Sequence, residues 1–196
     1  VPRGPLTPLP APRAEAGRSL GDTIQHRGST RRFGPAPLTG VELSTALRFA
    51  ARPPAADVEG GLVDVFLVVH AVEGLEPGAW RYWPGPHALE LVRAGSFRSE
   101  SSYLCLEQPL GGAAAATLFF LAPLDAALAA YGNRGYRLVN LEAGVMGGRA
   151  YLAAYAQRFG ASGLTFYDAK VVDFFSPHAR GLDAIFVTAL GRAARG

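Results

Sequence analysis

Tyr136-Arg137-Leu138-Val139-Asn140-Leu141-Glu142-Ala143-Gly144-Val145-Met146-Gly147-Gly148-Arg149-Ala150-Tyr151-Leu152-Ala153-Ala154-Tyr155-Ala156-Gln157-Arg158-Phe159 is the stretch on which the fold of this chain turns. Its large apolar residues fall at Leu138, Leu141, Val145, Leu152, Tyr155 and Phe159. Steps of three and four match a helix, not the period of two of a strand. At roughly 1.5 Å per residue the stretch predicts a helix of about 36 Å, enough to cross a small domain. No proline interrupts it, and Gly160 stands as its C-terminal stop. Gly144 and Gly148 lie one turn apart on one face, with Gly147 beside them. An internal glycine costs about 1 kcal/mol against alanine, so three of them ask for close approach by another backbone. A core helix of this chain, a partner subunit or a flat cofactor would each supply one.

Outward from this helix, 196 residues suit one domain. A hydrophobic content of 49% with 18% charged residues describes a globular protein with a sizeable core. No apolar run reaches membrane-spanning length and no signal peptide opens the chain. A single cysteine, Cys105, excludes an intrachain disulfide. Together these place the expected compartment in the cytoplasm. A net charge of +3 is too small to imply a nucleic-acid partner, and the aromatics sit in apolar segments instead of among basic residues. The only methionine is Met146, so the chain is expected to be a processed or excised piece of something longer.

Val1 to Ala16 carries five prolines and reads as an extended tail or linker, leaving 17–196 as a single domain. Ser19 with Asp22 marks the start of a short helix carrying Leu20 and Ile24, ending near Arg27-Gly28. Thr39 with Glu42 is a capping box for a second helix through Leu43, Leu47 and Ala50, closed by Arg52-Pro53-Pro54. Leu62 to His70 is a buried strand. Ala79 to Trp83 and His87 to Val92 form a hairpin about Pro84-Gly85-Pro86. A helix follows over Glu100 to Leu106, a strand over Ala113 to Leu121 and a short helix from Pro123 to Tyr131-Gly132. Beyond the long helix, Leu164 to Tyr167 reads as a short strand, Val171 to Phe175 as a helical turn, and Ala184 to Leu190 as a terminal strand. Strands and helices mix without strict βαβ alternation. The fold class is therefore α+β, a mainly antiparallel sheet surrounded by helices with a long central one.

Three stretches carry groups for chemistry. Arg27-Gly28-Ser29-Thr30-Arg31-Arg32-Phe33 gathers guanidiniums that bond phosphate oxygens in a planar fork, with hydroxyls to complete the shell. On composition alone it equally reads as a solvated basic loop, with Arg27 opposing the dipole of the first helix. Gly160-Ala161-Ser162-Gly163-Leu164-Thr165 is a glycine-rich turn whose N–H groups a ligand could approach, or a plain helix-to-strand connection. Arg192, with Arg195 beyond it, offers a further cation. Asp64 and Glu142 are charges in apolar surroundings and read first as paired structural carboxylates. The four histidines are scattered and Cys105 has no neighbouring ligand, so no metal site is expected. Nucleophile elbow, P-loop and dinucleotide glycine fingerprint are all missing.

The Arg27–Phe33 stretch resembles the opening signature of FMN-dependent nitroreductases. Gly74-Leu75-Glu76-Pro77-Gly78-Ala79-Trp80-Arg81-Tyr82, His87-Ala88-Leu89 and Tyr131-Gly132-Asn133-Arg134-Gly135-Tyr136-Arg137 extend the resemblance. With Leu141-Glu142-Ala143-Gly144 and Tyr151-Leu152-Ala153-Ala154, the chain looks most like the SagB-type oxidoreductases, relatives of the azoline oxidases that mature ribosomal peptides. The resemblance covers about Ser19 to Arg192 and implies a homodimer with FMN at the subunit interface and the long helix at the dimer core. It implies that Arg27, Ser29 and Arg31 hold the FMN phosphate and ribityl chain and that Arg192 supports the phosphate. Gly163 and Leu164 would present backbone to the isoalloxazine ring, with its N5 near Gly163. NADH or NADPH would be the reductant, and Tyr131 would lie near substrate. Two departures stand out. The flavin-contacting segment after the second helix, Pro-Ser-Gly-Gly-like in the family, here reads Arg52-Pro53-Pro54-Ala55-Ala56-Asp57-Val58-Glu59-Gly60-Gly61. The Lys-Tyr pair of the azoline oxidases is Ala130-Tyr131 here, which argues against a direct azoline oxidase. They keep open a second expectation: a non-catalytic, degenerate domain that pairs with a second nitroreductase-like domain or sequesters flavin, as one half of a tandem chain.

Overall fold

The computed structural model describes residues 1–15, 17–52 and 60–194. Alternating Val, Phe and Leu build the centre of the sheet. In β2 (Asp64–Val69), Val65, Leu67 and Val69 face one core, while Phe66 and Val68 face the other. In β5 (Ala116–Ala122), Leu118 and Phe120 share the first face, Phe119 and Leu121 the second. Both faces are covered, which is why these two strands read as continuous apolar runs. The hairpin strands are β3 (Gly78–Trp83) and β4 (Ala88–Ala94), and the terminal strand is β7 (Asp183–Gly191).

Two further strands correct the sequence-based expectations. Leu6–Pro8 forms β1, paired antiparallel with Glu90–Ala88, so the proline-rich opening is part of the sheet over this stretch. Proline is tolerated there because β1 is an edge strand. Gly160–Gly163 forms β6, paired with Gly191–Thr188, whereas Leu164 to Tyr167 is not a strand. The glycine-rich turn is thus an edge strand paired along one side with β7. The complete sheet has the order β1-β4-β3-β2-β5-β7-β6 and is antiparallel throughout.

Helices lie against both faces. α1 (Leu20–His26) is capped by Ser19, and α2 (Gly40–Ala50) by the complete Thr39–Glu42 capping box. α3 (Arg98–Leu104) and α4 (Pro109–Ala113) precede β5, and α4 carries no signal in the sequence beyond the proline at its first turn. α5 (Leu124–Tyr131) leads into the long helix, α6 (Asn133–Ala156). α7 (Asp168–Phe175) packs Val171 and Phe175 under the second face.

α6 starts three residues before the predicted start and stops at Gln157, not at Gly160. The stop is a Schellman turn: Arg158 takes φ 66°, the Phe159 N–H reaches Ala154 O at 3.0 Å, and the Arg158 N–H reaches Tyr155 O at 3.2 Å. The helix glycines divide by environment. A Cβ on Gly147 would fall 2.4 Å from the Phe186 ring of β7, so this glycine serves packing inside the chain. Gly144 and Gly148 meet nothing within 4 Å and face outward beside exposed Leu141. Leu20 and Ile24 of α1 are also exposed.

Candidate functional site

After its last turn α1 opens into extended backbone at Arg27 (φ −63°, ψ 130°), and the loop 27–34 runs along β6 and the end of β7. Thr30 is the one buried residue of Arg27–Arg32: its N–H bonds Ala161 O at 2.8 Å and its hydroxyl meets the Tyr155 hydroxyl at 3.2 Å. A Cβ on Gly160 would fall 2.1 Å from Thr30 Oγ1, so Gly160 makes room for this loop and does not end the helix. The Gly34 N–H bonds Arg192 O at 2.9 Å, and the Ala194 N–H bonds Arg32 O at 2.9 Å. With Thr30 turned in, Arg27, Ser29 and Arg31 remain exposed on a backbone fixed at both ends.

Two tyrosines one turn apart on α6 hold this loop, and sequence reasoning did not assign them a site role. Tyr151 places its hydroxyl 3.3 Å from Ser29 Oγ, and the Arg27 guanidinium lies 5.7 Å over its ring. The same hydroxyl accepts the N–H of Gly163. The spacing Tyr151–Tyr155 was visible in the sequence, but only the loop crossing α6 shows that both hydroxyls meet consecutive loop hydroxyls. Arg192 donates through Nη2 to both carboxylate oxygens of Glu42, at 2.9 and 2.7 Å. Glu42, itself buried, also accepts the Thr39 N–H at 2.9 Å and so joins Arg192 to the start of α2.

These contacts bring Arg27, Ser29 and Gly163 together about Tyr151. Leu164 follows β6 with its N–H on Val187 O at 3.2 Å. Tyr131 is elsewhere. It ends α5, two residues before α6 begins, and Asn133 to Tyr151 is eighteen helical steps, roughly 27 Å along the axis. Within one chain Tyr131 and the Arg27–Arg31 loop therefore sit at opposite ends of α6. Arg195 and the altered segment from Pro53 to Glu59 lie outside the described residues.

The two carboxylates singled out in the sequence, Asp64 and Glu142, have structural partners. Asp64 pairs with Arg81 at 2.9 Å, and Arg81 stacks 4.3 Å from the Trp83 ring. Glu142 accepts the N–H groups of Gly61 at 2.9 Å and Leu62 at 3.2 Å, pinning the approach to β2 onto α6. Burial pushes the Cys105 thiol up to about 12, so it carries no thiolate at neutral pH. His70 is brought down to about 4 by burial and by the charge of Arg98. Among the described residues, no group of three or more His, Cys, Asp or Glu is placed to hold a metal ion. No helix among them is long and apolar enough to cross a membrane.

The phosphate end of a flavin fits this arrangement: two exposed guanidiniums and a hydroxyl on a braced loop suit a dianion. At the ring end, the two nominated N–H groups already have partners in Tyr151 and Val187. A seven-stranded antiparallel sheet, a long helix across one face and a basic loop tied to a sheet edge define a protein of the flavin-dependent nitroreductase fold. The model of the nitroreductase family matches residues 24–191, and the chain belongs to that family. A protein of Methanocaldococcus jannaschii assigned, without established activity, as a nitroreductase is 29% identical over 163 residues, 78% of this chain and 81% of that protein. A crystal structure from Anabaena variabilis, assigned in the same way, superposes with TM-score 0.83 at 35% identity. It covers 89% of this chain, which spans only 38% of that longer protein. One from Ralstonia eutropha gives TM-score 0.79 at 26% identity over 97% of this chain and 90% of its own. At lower identity the fold alone is shared with an Escherichia coli microcin synthetase complex (TM-score 0.69, 20%, 89% of this chain and 73% of that one). The same holds for an NADPH:FMN oxidoreductase of Vibrio harveyi (TM-score 0.65, 16%, 90% and 69%).

Proposed function

We propose that this chain is an FMN-binding oxidoreductase of the SagB type. The observation that carries the proposal is the braced loop, which turns Thr30 inward and leaves Arg27, Ser29 and Arg31 outward. Arg27 and Arg31 bind the phosphate, Ser29 reaches the phosphate or ribityl chain, and Arg192 supports the phosphate from the end of β7. Gly163 and Leu164 border the ring. FMN, when bound, supplies two-electron hydride exchange between NADH or NADPH and a small-molecule or peptide acceptor. The protein's own part is to hold the phosphate, set the ring against β6 and restrict access of water.

A second copy, or a second nitroreductase-like domain, completes the site. Exposed Leu141, the open Gly144 and Gly148, and Leu152 fall at helical spacing on one face of α6. Beside them Leu20 and Phe49 line an apolar cavity of about 210 Å³ with Leu152 and Ala156. Antiparallel crossing of two such helices carries Tyr131 of one chain toward the Arg27–Arg31 loop of the other, which one chain cannot do alone. We place this pair, built on the domain of 17–196 with the N-terminal segment strapped to it, in the cytoplasm.

The test is an absorption spectrum after incubation with FMN and desalting, followed by NADH or NADPH. Retained flavin that bleaches with either reductant supports the enzyme. Retained flavin without turnover supports the second reading, a flavin-sequestering or structural half, which the occupied N–H of Gly163 favours. A colourless protein overturns both flavin readings.

A further inference from the structure

Resting on the flavin reading above, we propose that Tyr151 sets flavin affinity as an internal competitor, its hydroxyl capping the Gly163 donor until the ring displaces it. Two N–H groups border the ring end, and their partners differ in kind. Leu164 donates to the backbone carbonyl of Val187, next to the β6–β7 ladder, and cannot be freed without opening the sheet. Gly163 donates to a side-chain hydroxyl, whose release needs a swing of the Tyr151 side chain about its Cα–Cβ bond and leaves the strand pairing intact. Gly163 is the exposed residue of β6, so its amide is open to a ligand or to water once the phenol moves. There is room beside it: an added Cβ would stand at ordinary contact distance, 3.5 Å from both Tyr151 Oη and Phe186 Cζ.

The hydroxyl has a second attachment that couples the two ends of the site. It accepts from Gly163, so its proton is free to donate to Ser29 Oγ, 3.3 Å away. The proton of Ser29 is then left for an anion. The phenol therefore holds both the phosphate loop and the ring strand before any flavin arrives, with the Arg27 guanidinium lying over its ring. Displacement exchanges one neutral hydrogen bond for another, so the competition is modest.

Tyr151→Phe removes the competing oxygen and keeps the ring under Arg27. Titrations of FMN and of riboflavin, followed by quenching of flavin fluorescence, compare this variant with the unaltered chain. The competition predicts that both flavins bind about three- to tenfold more tightly, the worth of one neutral hydrogen bond. Affinities that are unchanged or weaker overturn the cap while leaving the flavin reading intact. If neither protein binds either flavin, the flavin reading falls and the cap with it. A second measurement needs no flavin. In the flavin-free variant, the Gly163 amide should exchange with solvent at least tenfold faster, with the other β6 amides unchanged. Equal Gly163 exchange in the two proteins overturns the cap.

Discussion

Thr30 and Tyr155 show how single side chains fix the site. A hydroxyl pair at 3.2 Å turns Thr30 under the loop, and its neighbours are left facing out. The double substitution Arg27→Ala with Arg31→Ala leaves this brace in place and should weaken FMN by about 3 kcal/mol, two charge-assisted hydrogen bonds at roughly 1.5 kcal/mol each. Riboflavin, which has no phosphate, should bind unchanged, and comparing the two ligands by titration checks the loop assignment. His70 gives a residue-scale prediction for pH. Burial, then the Arg98 charge, lowers its pKa from 6.5 to about 4, so the fold holds it neutral. Its contribution to stability is complete above pH 6.5 and is lost as the pH falls through 4. At about 1.4 kcal/mol per unit, roughly 3 kcal/mol disappears across that window. Denaturation at several pH values should show this slope, and His70→Gln should flatten it. The carbonyl of Gly111, which accepts from His70 Nε2, Ser101 and Thr117, keeps a donor in that variant.

Among the elements, β1 gained the most from tertiary context. Glu90 of β4, fully buried, accepts the N–H groups of Arg3 and Gly4, the latter at 2.8 Å, and the indole of Trp83 at 2.9 Å. Farther along the strap, Pro10 O accepts from Ser44 Oγ, so His87 Nε2 must donate to Ser44 at 2.8 Å. His87 Nδ1 then accepts from the Tyr82 hydroxyl at 2.7 Å. This chain of hydrogen bonds needs a neutral imidazole, and burial together with Arg48 lowers the His87 pKa in that direction. Ser44→Ala should therefore loosen residues 6–10, seen as faster amide exchange in β1 with the central strands unaffected. In α2, Thr39→Ala removes half of the capping box and should cost about 1 kcal/mol in chemical denaturation. The capping boxes, the hairpin and the long helix were legible because they depend on neighbours three or four residues away or on period alone. β1 was not legible, since three residues containing a proline carry no periodic signal and their partners lie 80 or more residues later. β6 was misplaced by four residues because two glycines and a serine resemble a turn until β7 supplies the ladder.

For the whole molecule, the outer face of α6 decides assembly. A Cβ on Gly148 meets nothing within 4 Å in this chain, and replacing an internal helix glycine recovers up to about 1 kcal/mol of helix propensity, so the Gly148→Leu monomer should be at least as stable to denaturation. If two copies cross at that face, sedimentation should show the variant shifted to monomer, and Tyr131 would no longer reach the second chain's loop. Membership of the nitroreductase family was within reach of the sequence, because Arg27–Phe33 and the segments after it keep their order along the chain. The helix period, the capping signals and the α+β mixture are local properties, and local spacing by itself determined them. Only the tertiary structure decided that Tyr151 and Tyr155 hold the basic loop, that Arg192 is tied to Glu42, and that Gly147 packs inward while Gly144 and Gly148 face out. Each of these is set by contacts between residues about 40 to 150 positions apart, or by their absence, which no local spacing encodes.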